Sequence, residues 1–316
     1  MSLARLFVSV LSTLFAAQVF AQSFSFTALG DLPYGDPAKV YEPYRQLIQT
    51  INSNKTDFSI HVGDIKSGST VCSDTEFAEQ KKHFDMFTGA VIYTPGDNEW
   101  TDCHRKNNGS FDPLERLQAL RSLYFKPGVS LGQKPLRLQN QSTEQSSHAK
   151  YIENARWMHK GVLFVTVHIV GSNNNFEVRD PKAVAEFFER DEANVQWIQA
   201  AYAFAAQQNA RAIVFSMQAD MFDEKEPVES FSNISGFRRS IGETLLPLAD
   251  QWKKPVLVIH GDGHVFKVDQ PFRFDKKPLR NVTRLEVPGA SDVRAVRVMV
   301  SEHPVQPFAF ELFAAP

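Results

Sequence analysis

Residues 24–31 read Phe-Ser-Phe-Thr-Ala-Leu-Gly-Asp, an alternating apolar run that ends in a Gly-Asp pair. Such alternation is typical of a strand with one buried face. A similar arrangement returns further along the chain, at residues 58–64 and again at residues 90–97. Each of the three runs therefore predicts a strand that carries an aspartate at its end.

Segments with helical spacing separate these strands. Asp36-Pro37 has the residue types of an N-cap and a first turn, and apolar residues between 40 and 51 then follow on one helical face. Further helices are predicted near residue 74, from 112 to about 124 and from 180 to about 208, and buried strands at 162–170, 212–217 and 255–259, with short strands only after residue 265. This alternation predicts an α/β fold.

The composition describes an ordinary globular chain. It has 316 residues, of which 43% are apolar, with 34 Lys+Arg against 36 Asp+Glu and a formal charge of −2. This balance leaves no basic surplus for a phosphate backbone, so no dedicated nucleic-acid partner is expected. No linker divides the chain after residue 21, and residues 22–316 are predicted to form a single domain.

The first 21 residues differ from the rest of the chain. Arg5 precedes an apolar run from 6 to 20, and Ala21 is the small residue that a signal peptidase requires. The alternative, a membrane anchor, needs about 20 apolar residues, and this run is shorter. Residues 1–21 are therefore predicted to be a cleaved signal peptide, and the protein to be periplasmic or secreted, with no membrane span after cleavage. In an oxidising compartment two cysteines pair once, so Cys72 and Cys103 are predicted to form a disulfide.

Aspartates follow four of the predicted strands. Asp31, Asp64, Asp97 and Asp262 each come directly after a glycine. In an open α/β sheet the carboxyl ends of parallel strands converge on one crevice. Four carboxylates gathered there raise each other's pKa values unless a cation neutralises them. The sequence therefore predicts a metal site at the strand ends.

Four segments around these aspartates resemble the ordered signature blocks of the calcineurin-like metallophosphoesterases. They are GDLPY at 30–34, HVGD at 61–64, PGDNE at 95–99 and HGDGH at 260–264. The resemblance implies a four-layer αββα sandwich with two metal ions at the strand ends. It also implies a metal-bound hydroxide that attacks the phosphorus of a phosphate mono- or diester. The implied metal ligands are Asp31, Asp64, Asp97, Gln218, Asp262 and His264.

Several residues of the family pattern are replaced in this chain. Pro33, Asn98, Gln218 and Asp262 stand where the family has histidine, and Asp97 stands where it has asparagine. Oxygen donors in place of nitrogen favour Mn²⁺, Mg²⁺ or Ca²⁺ over zinc or iron. Because Asn98 replaces the family's catalytic histidine, and an amide cannot give a proton to a departing alkoxide, turnover is expected to be slow or limited to good leaving groups.

Three nearby side chains are candidates for the missing chemistry. His104 is the candidate proton donor, and Arg105 and Lys66 are candidate phosphate clamps. Each has the alternative role of a solvated loop side chain. The segments GDNEW at 96–100 and DCHR at 102–105 are similar to those of an exported bacterial branch of the family. The implied activity is that of an exported, metal-dependent phosphoric ester hydrolase acting on a small phosphorylated substrate.

Two other functions stay open. A non-catalytic metal- or ligand-binding protein of the same fold agrees with the loss of the family histidines. A serine hydrolase agrees with Gly128-Val129-Ser130-Leu131-Gly132, which matches the G-x-S-x-G nucleophile elbow. The elbow needs a strand before it and a helix after it, whereas residues 127–150 are predicted to be a long surface loop.

The buried run at 162–170 contains His168, which is interpreted as a core histidine. The polar segment 171–175 follows this run. It is expected to reach the same crevice as the aspartates, either as a plain turn or to contact substrate.

Overall fold

A computed structural model of the chain describes residues 23–222 and 235–316. The predicted signal peptide, residues 1–21, lies outside the described residues. The described chain forms two mixed β-sheets and a two-stranded ribbon, and helices pack against both sheets.

The first sheet carries the strands that precede Asp31, Asp64 and Asp97. It consists of β1 (Phe24–Leu29), β2 (Ser59–His61), β3 (Ala90–Tyr93), β4 (Leu131–Gly132), β14 (Arg294–Val300) and β15 (Phe308–Ala314). The order across the sheet is β15-β14-β1-β2-β3-β4. Because β1, β2 and β3 run parallel, the three aspartates leave the sheet at the same edge.

The second sheet carries the strand that precedes Asp262. It consists of β5 (Gln139–Asn140), β6 (Ala155–His159), β7 (Val162–Thr166), β8 (Ala212–Ser216), β9 (Val256–His260), β10 (Lys267–Asp269) and β13 (Val282–Glu286). The order is β10-β13-β9-β8-β7-β6-β5, and β7, β8, β9 and β13 run parallel. Every residue of β7, β8 and β9 is buried, as expected of parallel strands covered on both faces. The ribbon pairs β11 (Arg273–Phe274) with β12 (Lys277–Pro278).

Three of the longest helices begin at the predicted Asp-Pro pairs. The helices are α1 (Pro37–Ser53), α2 (Asp74–Asp85), α3 (Pro113–Tyr124), α4 (Gln141–Glu144), α5 (Gly171–Asn174), α6 (Pro181–Gln207) and α7 (Leu246–Trp252). Asp36, Asp112 and Asp180 each accept a hydrogen bond from a backbone N–H of the following helix's first turn, which stabilises the helix start. Within the two described ranges, none of the helices is both long and apolar enough to cross a bilayer.

Three hydrophobic clusters separate the layers. Helices α1, α2 and α3 pack on the outer face of the first sheet through residues such as Leu47, Phe77 and Leu117. Helices α6 and α7 pack on the outer face of the second sheet through residues such as Trp197 and Leu246. The third cluster lies between the sheets. The predicted α/β class and four-layer αββα sandwich are therefore confirmed.

The structure differs from the sequence prediction mainly between the long elements. Residues 127–150, predicted to be an irregular loop, contain β4, β5 and α4. Elements of two to four residues have no periodicity that a sequence pattern can detect. The strand β6 and the helical segment 238–252 were also not predicted. The predicted strand at 162–170 ends at Thr166 in the structure.

Phe58 is the test residue for the core between the sheets. Its ring lies 5.4 Å from that of Phe26 and 5.0 Å from that of Phe164, and it is 1% exposed. The Phe58→Ala substitution is expected to lower the free energy of unfolding by about 3–5 kcal/mol, measured by urea denaturation. Val305→Ala, at a residue that is 67% exposed, is the control and should change it by under about 0.5 kcal/mol. Equal effects of the two substitutions would contradict the assigned core.

Candidate metal centre

The predicted acidic residues meet where the carboxyl edges of the two sheets come together. Asp31, Asp64 and Asp97 follow β1, β2 and β3 of the first sheet, and Asp262 and His264 follow β9 of the second. Asp262 N donates to Asp31 Oδ1 at 3.0 Å, which joins the two sheets at this point. The backbone of Asp31, Asp64, Asp262 and His264 is left-handed, with φ between 53° and 71°. Such strained conformations cluster at functional sites.

The side chains form two adjacent groups that share one carboxylate. Asp31, Asp64 and His264 form one group, and Asp64, Asp97 and Asp262 form the other. Within each group the possible ligand atoms lie within 4.8 Å of one another. Because Asp64 belongs to both groups, the arrangement fits two neighbouring cations with a carboxylate between them.

Burial and mutual repulsion dominate the electrostatics of this cluster. Burial first, and then the neighbouring Asp97 and Asp31, hold the pKa values of Asp64 and Asp262 well above their usual range. Burial also raises the pKa of Asp31, against the opposing effect of His264. Asp31 Oδ2 is buried and has no hydrogen-bond partner. A divalent cation would neutralise these carboxylates and occupy the unpaired oxygen, so the donor set fits a metal.

Glycine is required beside these aspartates because the backbones approach closely. A Cβ atom on Gly96 would overlap Asp64 Oδ1, and one on Gly261 would overlap Asp31 Oδ2. Gly96 and Gly261 therefore make room for a carboxylate that arrives from another strand end, whereas Gly30 and Gly63 make room for Val62 and for the backbone of Gly96. The Gly-Asp pattern of the sequence reflects this packing.

Asn98 holds Asp64 in place. Its Nδ2 donates to Asp64 Oδ2 at 2.6 Å, and its backbone N–H donates to Asp64 Oδ1 at 3.3 Å. The Glu99 carboxylate accepts hydrogen bonds from the backbone N–H groups of Gly96 and Asp64. Burial raises the pKa of Glu99 to about 7. Glu99 is a supporting residue that the sequence did not indicate, although it lies within a quoted signature block.

Gln218 reaches the cluster, and its side-chain amide makes one hydrogen bond as an acceptor and one as a donor. The Oε1 atom accepts from Gly171 N at 2.5 Å, and Nε2 donates to Asp97 Oδ1 at 3.0 Å. An amide NH₂ group has no lone pair for a cation. The Nε2 group of Gln218 therefore orients Asp97, and the assignment of its oxygen as a metal ligand stays a prediction.

The polar segment 171–175 does reach the crevice, as predicted. Ser172 Oγ donates to Asp97 Oδ2 at 2.9 Å. The side chain of Ser172 also lines a cavity of about 610 Å³ together with His104 and Arg105. Two of the predicted catalytic residues thus lie in a space that borders Asp97.

His104 and Arg105 have defined partners at the cavity wall. His104 Nδ1 lies 2.6 Å from Thr101 O. Because a carbonyl oxygen only accepts, Nδ1 carries a hydrogen and Nε2 stays available for chemistry. Arg105 Nη1 forms an ion pair with Asp102 Oδ2 at 2.5 Å.

Lys66 is not placed at the cavity. It is 1% exposed, and its Nζ donates to Ser67 O at 3.0 Å. Burial lowers the pKa of Lys66, against the opposing effect of Glu99. The structure thus disagrees with the prediction of Lys66 as a phosphate clamp, since its ammonium group points into the protein.

His168 is a buried histidine, in agreement with its interpretation as a core residue. It is 0% exposed, and its Nδ1 lies 2.8 Å from Glu153 Oε1. Glu153 in turn accepts from Arg121. The three side chains form a buried network, and none of them belongs to either of the two acidic groups.

The serine hydrolase alternative is wrong. Ser130 Oγ donates to Leu131 O at 2.9 Å and accepts from Leu136 N at 3.0 Å. The residue lies between an isolated bridge at Val129 and the short strand β4. A nucleophile elbow lies between a strand and a helix, and this context does not occur around Ser130.

The predicted disulfide between Cys72 and Cys103 is present. Both residues are 0% exposed. Their sulfur atoms lie 3.6 and 3.8 Å from Asn98 O. The disulfide thus contacts the residue that holds Asp64, and it ties the segment after β2 to the segment after β3.

Two solved phosphatases have similar structures. A dimetal phosphatase from Danio rerio aligns with a TM-score of 0.51 and 11% identity, over 93% of this chain and 99% of that chain. A purple acid phosphatase from yellow lupin (Lupinus luteus) seeds aligns with a TM-score of 0.53 and 12% identity, over 94% of this chain and 52% of that chain. This chain thus spans about half of the lupin enzyme. No family model matches the sequence, and no curated protein does. The chain has the metallophosphoesterase fold, and at this identity the likeness extends to the fold alone.

Asp64→Asn tests the acidic cluster. Without metal the substitution is expected to raise the free energy of unfolding at neutral pH, because burial and then the charges of Asp97 and Asp31 disfavour the ionised Asp64 carboxylate, and asparagine does not ionise. With Mn²⁺ it is expected to weaken binding by at least about 100-fold, measured by calorimetry. In the unsubstituted protein, free metal at about 100 times its Kd should add about 2.7 kcal/mol. Asp275→Asn, in an exposed turn, is the control.

The pH dependence of the metal-free protein follows from the same cluster. A raised pKa means that the folded chain holds its protons more tightly than the unfolded chain. Stability is therefore expected to fall as the pH rises above 3.8, the ordinary pKa of aspartate. Asp64→Asn should flatten this dependence. Unchanged Mn²⁺ affinity in Asp64→Asn, or a melting temperature that ignores Mn²⁺, Ca²⁺ and EDTA, would refute the assigned centre.

The disulfide is tested by the double variant Cys72→Ala/Cys103→Ala. Loss of the cross-link is expected to lower the free energy of unfolding by about 2–4 kcal/mol. Since the sulfur atoms contact Asn98, Mn²⁺ affinity should fall at temperatures where the far-UV circular dichroism is unchanged. Phe58→Ala provides a similarly destabilised control that leaves the site intact. If both variants bind Mn²⁺ equally well, the disulfide has no part in holding Asp64.

Proposed function

We propose that this protein hydrolyses phosphoric esters at a divalent-metal centre formed by Asp31, Asp64, Asp97, Asp262 and His264. The observation that carries the proposal is the pair of adjacent ligand groups that share Asp64. Two cations about 3.5–4 Å apart are the recurring arrangement for phosphoryl transfer from esters to water. The dimetal phosphatase fold of the structure agrees with this reaction.

Four of the five proposed ligands are aspartates. Carboxylate oxygens suit Mn²⁺, Mg²⁺ and Ca²⁺, and these ions are therefore proposed ahead of zinc and iron. Two bound ions would supply Lewis acidity at the phosphoryl oxygens and a water of lowered pKa. The remaining chemistry has to come from the side chains of this chain.

Proton delivery to the leaving group is assigned to His104. In the proposed reaction a water oxygen forms a bond to phosphorus, and the bond between phosphorus and the ester oxygen breaks. The departing alkoxide takes a proton from protonated His104 Nε2 and leaves as an alcohol, while the attacking water loses a proton to the solvent. The second product is inorganic phosphate from a monoester or a phosphate monoester from a diester. Asn98 has no acidic proton to give, so its role is to orient Asp64 through the bond at 2.6 Å.

Arg105 is proposed to contact the substrate from the cavity wall. Its guanidinium group is paired with Asp102 and is 44% exposed, so donors stay free for an oxygen of the ester. Ser172 is proposed to share this task, because its hydroxyl lies between Asp97 and the cavity. The proposed substrates include both phosphate monoesters and phosphate diesters.

Export is proposed together with the activity. Residues 1–21 have the pattern of a signal peptide, and the Cys72–Cys103 disulfide is compatible with an oxidising compartment. The proposed mature protein is a single domain of residues 22–316 in the periplasm or outside the cell. The likeness to an exported bacterial branch of the metallophosphoesterases belongs to the same proposal.

The second candidate function is metal or ligand binding without turnover. The replacement of the family's catalytic histidine by Asn98 favours it. The acidic cluster is then a binding site whose ion serves the structure of the sheet edges. Hydrolysis by the metal-loaded protein separates this candidate from the first.

The decisive assay uses protein stripped with EDTA and reloaded with Mn²⁺, Mg²⁺, Ca²⁺ or Zn²⁺. Hydrolysis of p-nitrophenyl phosphate and of bis-p-nitrophenyl phosphate is expected with Mn²⁺ and is expected to disappear with chelator. Stoichiometric metal binding without turnover of either ester would replace the first candidate by the second.

His104→Ala tests the proton donor. Its kcat is expected to fall about 10²–10⁴-fold for an alkyl phosphate, whose alkoxide needs the proton, and much less for p-nitrophenyl phosphate. His303→Ala, at an exposed residue in the loop between β14 and β15, is the control and should change neither rate. An equal loss on both esters would exclude His104 as the acid.

A further inference from the structure

A cavity of about 610 Å³ lies beside the proposed metal centre. It is bounded by the segment 101–105, the start of α3 and the segment from 172 to 183. Ser172 belongs both to this wall and to the site, because its hydroxyl donates to Asp97 at 2.9 Å. A group that leaves phosphorus on this side of the centre would enter the cavity.

The wall around Ser172 is held rigidly by buried contacts. Residues 172–175 are four consecutive non-glycine residues with left-handed φ, between 51° and 60°. Arg190, which is 0% exposed, donates to Asn174 Oδ1 at 2.5 Å and to Asn174 O at 3.0 Å. Asn175 Nδ2 donates to Glu186 Oε2 at 2.8 Å. Strain of this kind persists only where the surroundings fix it, and here it fixes one border of the cavity.

The charges that line the cavity leave no net positive charge. Arg105 pairs with Asp102 at 2.5 Å, Arg179 with Glu177 at 2.7 Å, and Lys182 with Asp112 at 3.5 Å. Asp180 also lines the cavity, so four carboxylates face these three cations. Among the described residues of the lining, a leaving group with phosphates of its own would meet no unpaired cation apart from His104 when protonated. The cavity therefore suits an uncharged leaving group.

The described residues of the lining offer no aromatic platform for a nucleobase. Among the described residues that line the cavity there is no Phe, Tyr or Trp. Bases are usually bound by stacking on aromatic faces, which contributes about 1–3 kcal/mol for each base. Beside the apolar Pro113, Leu114 and Ala183, the wall presents hydrogen-bond donors and acceptors from its ion pairs. Hydroxyl groups donate and accept at once, so they match such a surface.

From these observations we propose that the cavity binds the alcohol part of the ester, and that this alcohol is an uncharged polyhydroxylated compound such as a sugar or polyol. The inference rests on the proposed function, since it names the substrate class of the same site. Nucleotides and phosphoserine peptides are disfavoured substrates by the same argument.

The first test compares esters on the Mn²⁺-loaded full chain. Values of kcat/KM for glucose 6-phosphate and glycerol phosphate are expected to exceed those for AMP and a phosphoserine peptide by about tenfold or more. Equal or higher values for AMP or for the peptide would overturn the inference. If no ester at all is hydrolysed while Mn²⁺ binds, the proposed function itself has failed, which is a different result.

The second test blocks the cavity and uses binding as a readout that does not need turnover. Leu114 lines the cavity and is 36% exposed, and Leu123 lies on the same helix away from it at 38% exposed. Leu114→Trp is expected to weaken binding of a non-hydrolysable phosphonate analogue of glucose 6-phosphate by about tenfold, measured by calorimetry, with Mn²⁺ affinity unchanged. Leu123→Trp is the matched control and should alter neither. Equal analogue affinity in the two variants would overturn the inference.

Discussion

Repulsion among buried carboxylates is the constraint on which the site depends. Asp31, Asp64 and Asp262 have raised pKa values because burial first, and then the charge of Asp97, disfavour ionisation. Neutralising such a group needs a cation or a proton, and an uncompensated buried charge costs several kcal/mol. Several contacts hold the carboxylates where a cation can reach them. Glycines allow close approaches of the backbone. Asn98 donates a hydrogen bond to Asp64, and Ser172 and Gln218 donate hydrogen bonds to Asp97.

Much of the fold was predictable because its long elements have clear periods and clear start signals. The Asp-Pro pairs at 36–37, 112–113 and 180–181 begin helices, and the apolar runs before Asp31 and Asp64 are parallel strands. The carboxyl ends of strands converge on one crevice in α/β sheets, so the sequence alone predicts that the aspartates lie close together. The cysteine pairing followed from the number of cysteines and the predicted compartment.

The direction of individual side chains was not predictable. The sequence assigns the oxygen of Gln218 to the metal, but it does not predict that this oxygen also accepts from Gly171 N–H, 47 residues away in sequence. Lys66 was expected in the crevice, but the carbonyl of the adjacent Ser67 takes its ammonium group. These outcomes depend on local backbone turns, which short polar segments do not encode in a periodic pattern. The left-handed turn at 172–175 is of the same kind.

The hydrogen bond from Asp262 to Asp31 links positions 231 residues apart, and the proposed ligands come from both sheets. An ion bound there would cross-link the two sheets, and its binding site would be complete only after both sheets have formed. Because long loops close late in folding, this metal cross-link would be absent from the folding transition state. It would leave the folding rate nearly unchanged and slow unfolding. The lifetime of the native state would then depend on the metal supply.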